Sequence, residues 1–168
     1  MKTNEPVTEA GEAKFCPYTY KAAKPSKLKI VLVLYIAFVF IQSLFYKFAD
    51  APETQYIFAT LDAWAAGFGP SGLFAPGGIF SAKVIGSAEL VASVVMLASL
   101  VTGRVILRVL GALMSLGVIS GAIFFHLFTP LGVEIQGDGG LLFTMACGVW
   151  LAAAALLLME RDFIRKLL

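Results

Sequence analysis

Six side chains in this sequence could do chemistry in an apolar setting: His126, Glu89, Lys47, Lys83, Glu134 and Asp138. The stretch GAIFFHLFTPLGVEIQGDGGLLF, residues 121–143, holds the single histidine, with Glu134 and Asp138 close behind it. An imidazole titrates near neutral pH and can act as a base, a hydrogen-bond partner or a metal ligand. One imidazole cannot ligate a haem from both faces, and the spacing of His126, Glu134 and Asp138 matches no strong metal motif. No metal site is therefore expected. Glu89 interrupts an apolar run. In hydrocarbon such a group marks either a functional site or a buried interhelical hydrogen bond, and left unpaired it would tend to stay protonated. Its expected partners are Gln42, Ser43 and Thr144. Asp138, in GDGGLLF, has the position of a helix N-cap, with an anion-binding nest over residues 137–140 as the alternative. Cys16 and Cys147 lie far apart and form no CxxC, which argues against thiol–disulfide exchange. No P-loop, GxSxG, HExxH or dinucleotide fingerprint is present, and no catalytic residue is assigned.

The elements that must position these groups are apolar throughout. The chain is 59% hydrophobic and 14% charged, with a mean hydropathy of +0.85; a soluble domain carries about 25% charged residues. Four runs, 28–48, 79–101, 105–128 and 139–159, each come close to the ~20 residues a helix needs to cross a bilayer. The expected fold is all-α, an integral membrane four-helix bundle. The polar residues 1–27 read as a flexible cytoplasmic tail before it. Basic residues cluster at Lys2, Lys14, Lys21, Lys24, Lys27 and Lys29, at Arg104 and Arg108, and at Arg161, Arg165 and Lys166, against only Lys47 and Lys83 on the other side. This bias predicts that both termini are cytoplasmic; the expected location is the cell inner membrane. The net charge of +2 follows from the same bias and gives no reason to expect nucleic acid.

The first outer loop has structure of its own. In DAPETQYIFATLDAW, Asp50 and Glu53 have capping-box spacing and Pro52 suits a first helical turn. Tyr56, Ile57, Thr60, Leu61 and Trp64 then form an amphipathic stripe, so a short helix over about 52–66 is expected at the outer interface; a plug packed on the bundle is the alternative. Span three carries Gly117 and Gly121 as a GxxxG, which permits close helix approach, either within the bundle or in self-association.

Three stretches resemble the DoxX-like membrane proteins: LFYKFADAPETQYIF, VIGSAELVASVVML and SGAIFFHLFTPLGVEIQGDGGLLF. The likeness runs from about Leu34 to Met159 and covers all four spans. It implies four helices and similarity to a small membrane subunit named for thiosulfate:quinone oxidoreductase, with relatives linked to redox or stress functions. It carries no agreed catalytic residues. The expected function is a non-catalytic accessory or structural subunit of a larger, redox-linked membrane assembly. An independent quinone-interacting protein is the alternative, and a small-solute carrier the third reading. Expected partners are membrane lipid and other membrane subunits, or a second copy through Gly117 and Gly121.

Topology brings four helix ends to the outer side, so His126, Lys47, Lys83 and Asp138 are expected to form a polar cluster above a deeper Glu89. Such a cluster could bind a quinone head group through His126 and Glu89, or simply tie the helix ends together. The orientation has a direct check. In intact cells an impermeant thiol reagent should label a cysteine introduced at Glu134 or Asp62 and leave Cys16 unmodified; the reverse pattern would invert the topology.

Overall fold

The computed structural model describes residues 24–167. The expected tail lies outside the described residues up to residue 23, as does Cys16. The described chain is helical, without strands: α1 (Lys27–Phe48), α2 (Pro52–Ala66), α3 (Ala82–Thr102), α4 (Val105–Phe128), α5 (Leu141–Met159) and α6 (Arg161–Leu167). α1, α3, α4 and α5 are long and apolar enough to cross a membrane. They form the four-helix bundle, and α2 is the short helix at one of its ends.

Local chemistry sets the boundaries. The Ser26 hydroxyl accepts from the Lys29 N–H and starts α1. Pro52 occupies the first turn of α2 and makes Ala51 the N-cap. The expected capping box on Asp50 is therefore displaced: Asp50 lies one residue too early, in the left-handed region at φ 53°, and accepts from the Gln55 side-chain amide instead. α3 starts at Ala82, three residues inside the expected span, because residues 78–81 are spent in turns. It ends at Gly103, whose φ of 66° lets the chain reverse at once into α4.

α1 packs on α3 and α5, and α4 packs on α3 and α5, so the helices run around a ring as α1–α3–α4–α5. Lipid tails are as apolar as leucine, so burial of apolar surface does not drive helices together in a bilayer; close packing of small residues does much of the work. The core accordingly places Ala92, Ala112, Ala146, Ala152 and Ala153 among Val33, Ile36, Phe40, Met96 and Leu156. Ser93, Ser99 and Ser115 are buried, but each donates to a carbonyl of its own helix and so behaves as a small residue. The face turned to lipid carries Leu34, Phe38, Phe45, Leu151 and Leu158.

The close approach happens at glycines other than those the GxxxG singled out. A Cβ on Gly111 would come within 2.7 Å of Met96, and one on Gly148 would collide with the Tyr35 hydroxyl. A Cβ on Gly117 or Gly121 would meet nothing within 4 Å. Within this bundle, then, the GxxxG pair does not mark a helix–helix contact.

At the terminal end of the bundle, Arg108 near the start of α4 is 1% exposed. Its Nε donates to Glu160 Oε1 at 2.7 Å, and Lys29 Nζ reaches the same oxygen at 2.8 Å. One carboxylate thus ties α1, α4 and the α5–α6 junction. Arg108 Nη1 has no hydrogen-bond partner among the described residues.

At the opposite end, α2, the link 67–81 and the connection 129–140 form a second apolar cluster of Leu61, Ala65, Phe74, Leu131 and Ile135. Phe125 of α4 meets Phe74 edge-on at 5.3 Å, and Asp62 Oδ1 accepts the Phe74 N–H at 3.0 Å. These contacts fasten the cap to the bundle.

The glycine geometry predicts opposite responses at two positions on α4. Gly111→Ala should lower the thermal midpoint of the purified protein, with a loss of about 1–3 kcal/mol from overpacking against Met96. Gly117→Ala should leave it unchanged or raise it, since alanine is favoured in helices by about 1 kcal/mol. Equal responses would contradict this packing.

Candidate functional site

The apolar core fills the bundle from its middle toward the terminal end. Toward the α2 end the helices enclose a cavity of about 660 Å³, lined mostly by apolar side chains. Val39, Gln42 and Tyr46 contribute from α1, Ile85 from α3, Gly117 and Gly121 from α4, and Leu142 and Met145 from α5. Ile57 and Leu61 of α2 roof it. The α1–α5 contact is the sparsest of the four around the ring and includes Tyr35 Oη donating to the Met145 carbonyl at 3.5 Å. Nearer the α2 end, the wall residues Tyr46 of α1 and Leu141 and Leu142 of α5 are all exposed, as is Phe80. The missing side chains of Gly117 and Gly121 become part of the cavity's volume.

Polar groups occupy two places on this apolar wall. The first is on the α1–α3 side. Glu89 is the eighth residue of α3, roughly 10 Å below its start at ~1.5 Å per residue. Lys47 Nζ lies 3.0 and 2.9 Å from its two carboxylate oxygens and 3.1 Å from Ser43 Oγ, while Ser43 Oγ is 2.7 Å from Glu89 Oε2. Glu89 thus pairs with Lys47 as well as with Ser43. Ser43 was an expected partner; Lys47 was not, because its backbone lies at the helix end. Its four-carbon stem runs back along α3 over Gly86, where a Cβ would already touch Lys47 Cδ at 3.5 Å. Thr144, another expected partner, donates instead to the Gly140 carbonyl of its own helix.

The second place is on the α4–α5 side. His126 is buried at 8% exposure, with Nδ1 2.6 Å from the Gly132 carbonyl oxygen and its ring edge-on to Phe143 at 5.6 Å. Asp138 also lines the cavity, and its oxygens are fully engaged by backbone: Oδ1 accepts from Ile135 at 2.8 Å and Gly140 at 2.9 Å, and Oδ2 from Leu142 at 2.9 Å. α5 begins three residues beyond Asp138, with Gly140 as N-cap, yet the carboxylate still satisfies a first-turn N–H, as a capping residue would. Desolvation pushes the Asp138 carboxyl up, but the N–H groups of Leu142, Ile135 and Gly140, helped by nearby His126, outweigh it and hold its pKa below the usual 3.8.

The expected cluster is therefore split. Lys47 joins Glu89 on one wall, and His126 and Asp138 share the other. Lys83 is exposed and does not line the cavity, because its position on α3 turns away from Glu89; Glu134 is also exposed. Among the described residues no three His, Cys, Asp or Glu side chains gather to hold a metal ion. The Lys29–Glu160–Arg108 group was missed from the sequence, where Lys29 and Arg108 read only as topogenic charge. An acid directly after the last span, facing basic residues at two other helix starts, was the available signal.

No family model, curated protein or solved structure matches this chain. What the site can do is read from its own chemistry: it can hold an amphipathic molecule, apolar along most of its surface and polar at its head.

The Asp138 carboxylate supplies a pH test. Its pKa is depressed in the folded protein, so its contribution is present above the ordinary carboxylate range and lost as pH falls through the folded value. Asp138→Asn should be less stable than the parent near neutral pH by about 1 kcal/mol, as for a lost cap. That gap should close as both proteins are melted at pH values below 4. A gap independent of pH would show that the charge is irrelevant.

Proposed function

We propose that this chain is a DoxX-like inner-membrane protein with both termini cytoplasmic, whose cavity binds a lipophilic small molecule with a hydrogen-bonding head group, of the quinone class. One observation carries the reading: a cavity of about 660 Å³, apolar over most of its wall and polar at Lys47–Glu89–Ser43 and at His126, which we take to open sideways between α1 and α5, where the wall residues Tyr46, Leu141 and Leu142 are exposed. That volume lies within the roughly 300–1,000 Å³ of small-molecule sites, which pair an apolar lining with a few placed polar groups. A side opening suits a ligand that partitions into the bilayer. The resemblance to a subunit named for a quinone oxidoreductase supports the same class. The chain has one histidine and no CxxC, so we place it as an accessory subunit that holds or delivers such a molecule within a larger redox-linked assembly.

The glycine pair on α4 provides the test. Gly121 lines the cavity, and a Cβ added there meets no heavy atom within 4 Å. Gly121→Leu should fold and melt like the parent while filling the site. Binding of a benzoquinone with a short alkyl tail, measured by calorimetry on the purified full chain, should weaken at least tenfold in the variant. Absence of binding to the parent, or equal affinity in the variant, would refute the reading.

A further inference from the structure

His126 holds one ring nitrogen fixed and the other open, and this bears on the chemistry of the ligand; the inference rests on the cavity being a ligand site. The Gly132 carbonyl oxygen, 2.6 Å from Nδ1, can only accept a hydrogen bond. Nδ1 must therefore carry a proton. A neutral imidazole has a single N–H, so Nε2 is left as a bare lone pair. Nε2 has no hydrogen-bond partner among the described residues, although the residue is more than nine-tenths buried and lines the cavity. Among the described residues Nε2 is not one of the fully enclosed side-chain atoms without a partner, so its lone pair keeps open surface where a ligand donor can reach it.

The neighbouring side chains supply no such donor. Asp138, the charged neighbour on this wall, is an acceptor, and it takes up the N–H groups of Ile135, Gly140 and Leu142. The Leu141 N–H goes to the Asp138 carbonyl and the Thr144 N–H to Gly140. Phe143 packs its ring against the imidazole and has no side-chain donor. The cationic group of the cavity, Lys47, is on the α1–α3 wall and engaged by Glu89 and Ser43. The side chains of the His126 wall thus offer an acceptor and no donor. A ligand carbonyl placed there would set lone pair against lone pair, whereas a hydroxyl would complete the ring's hydrogen bonding.

We infer that the cavity selects a ligand whose head group bears a phenolic hydroxyl, the hydroquinone rather than the quinone form, and that His126 Nε2 accepts the hydroxyl's hydrogen bond. His126 is then the residue that sets specificity between the two redox forms of one carrier.

The single histidine makes the test unambiguous. With the full chain in detergent and ¹⁵N-labelled histidine, the neutral ring should show a protonated Nδ1 and an unprotonated Nε2. Adding a short-chain hydroquinone under anaerobic, reducing conditions should shift the Nε2 resonance; the quinone, or the dimethyl ether of the hydroquinone, should not. Calorimetry should give the hydroquinone about tenfold higher affinity than either, as expected for one satisfied hydrogen bond. His126→Phe should abolish that preference while retaining binding of the apolar body. A proton on Nε2 in the neutral ring, or equal or tighter binding of the quinone, would overturn the inference and leave the cavity as a quinone-class site. Failure of all three compounds to bind would overturn both.

Discussion

Lys47 Nζ lies within 3.0 Å of both oxygens of Glu89, and the two side chains keep only 17% and 7% of their surface exposed. The desolvation of each ion amounts to several kcal/mol, and it is offset only when the partner is in place with its hydrogen bonds made. That requirement fixes the rotation of α1 and α3 about their axes, because Ser43 and Lys47 must both face Glu89. Small residues then let the remaining helices close around that pair: Gly86 under the lysine stem, and Ala92 deeper in the core. The arrangement holds two helices together at the end of the bundle where apolar packing is thinnest.

A second buried charge group does the same at the other end. Glu160 accepts from Arg108 and Lys29, so α1, α4 and the end of α5 meet on one carboxylate. Removing one partner from such a group typically costs about 3–5 kcal/mol, because the remaining charges stay buried without compensation. Between these two polar fastenings the core is apolar and closely packed, and the space left over gathers at the α2 end. The cavity is thus a consequence of the packing: α1 and α5 meet at Tyr35 and Gly148 and separate beyond them.

The cap completes the site by contacts of a different kind. Leu61, Phe74, Ile135 and Phe125 bury against one another, and two carboxylates, Asp62 and Asp138, hold loop backbone by accepting N–H groups. This backbone in turn supplies the Gly132 carbonyl that fixes the proton on His126. The chemistry presented to the cavity therefore depends on loop geometry as much as on the histidine.

The sequence by itself determined the all-α bundle, its four apolar helices and the short helix after the first, because length and hydropathy are local properties that a bilayer-crossing helix must satisfy alone. It also marked Glu89 and His126 as unusual, since an ionisable group in an apolar run stands out without any neighbour. It could not reveal who pairs with whom. Lys47 reaches Glu89 by bending its stem back along the helix, Arg108 and Lys29 converge on an acid far away in sequence, and Lys83 turns outward from the same helix that carries Glu89. The GxxxG of α4 has the same pattern whether it faces a helix or an empty space, and only the positions of α1 and α5 decided for the space. Pairing and void are both properties of several helices at once, fixed by rotations and tilts that no single segment encodes.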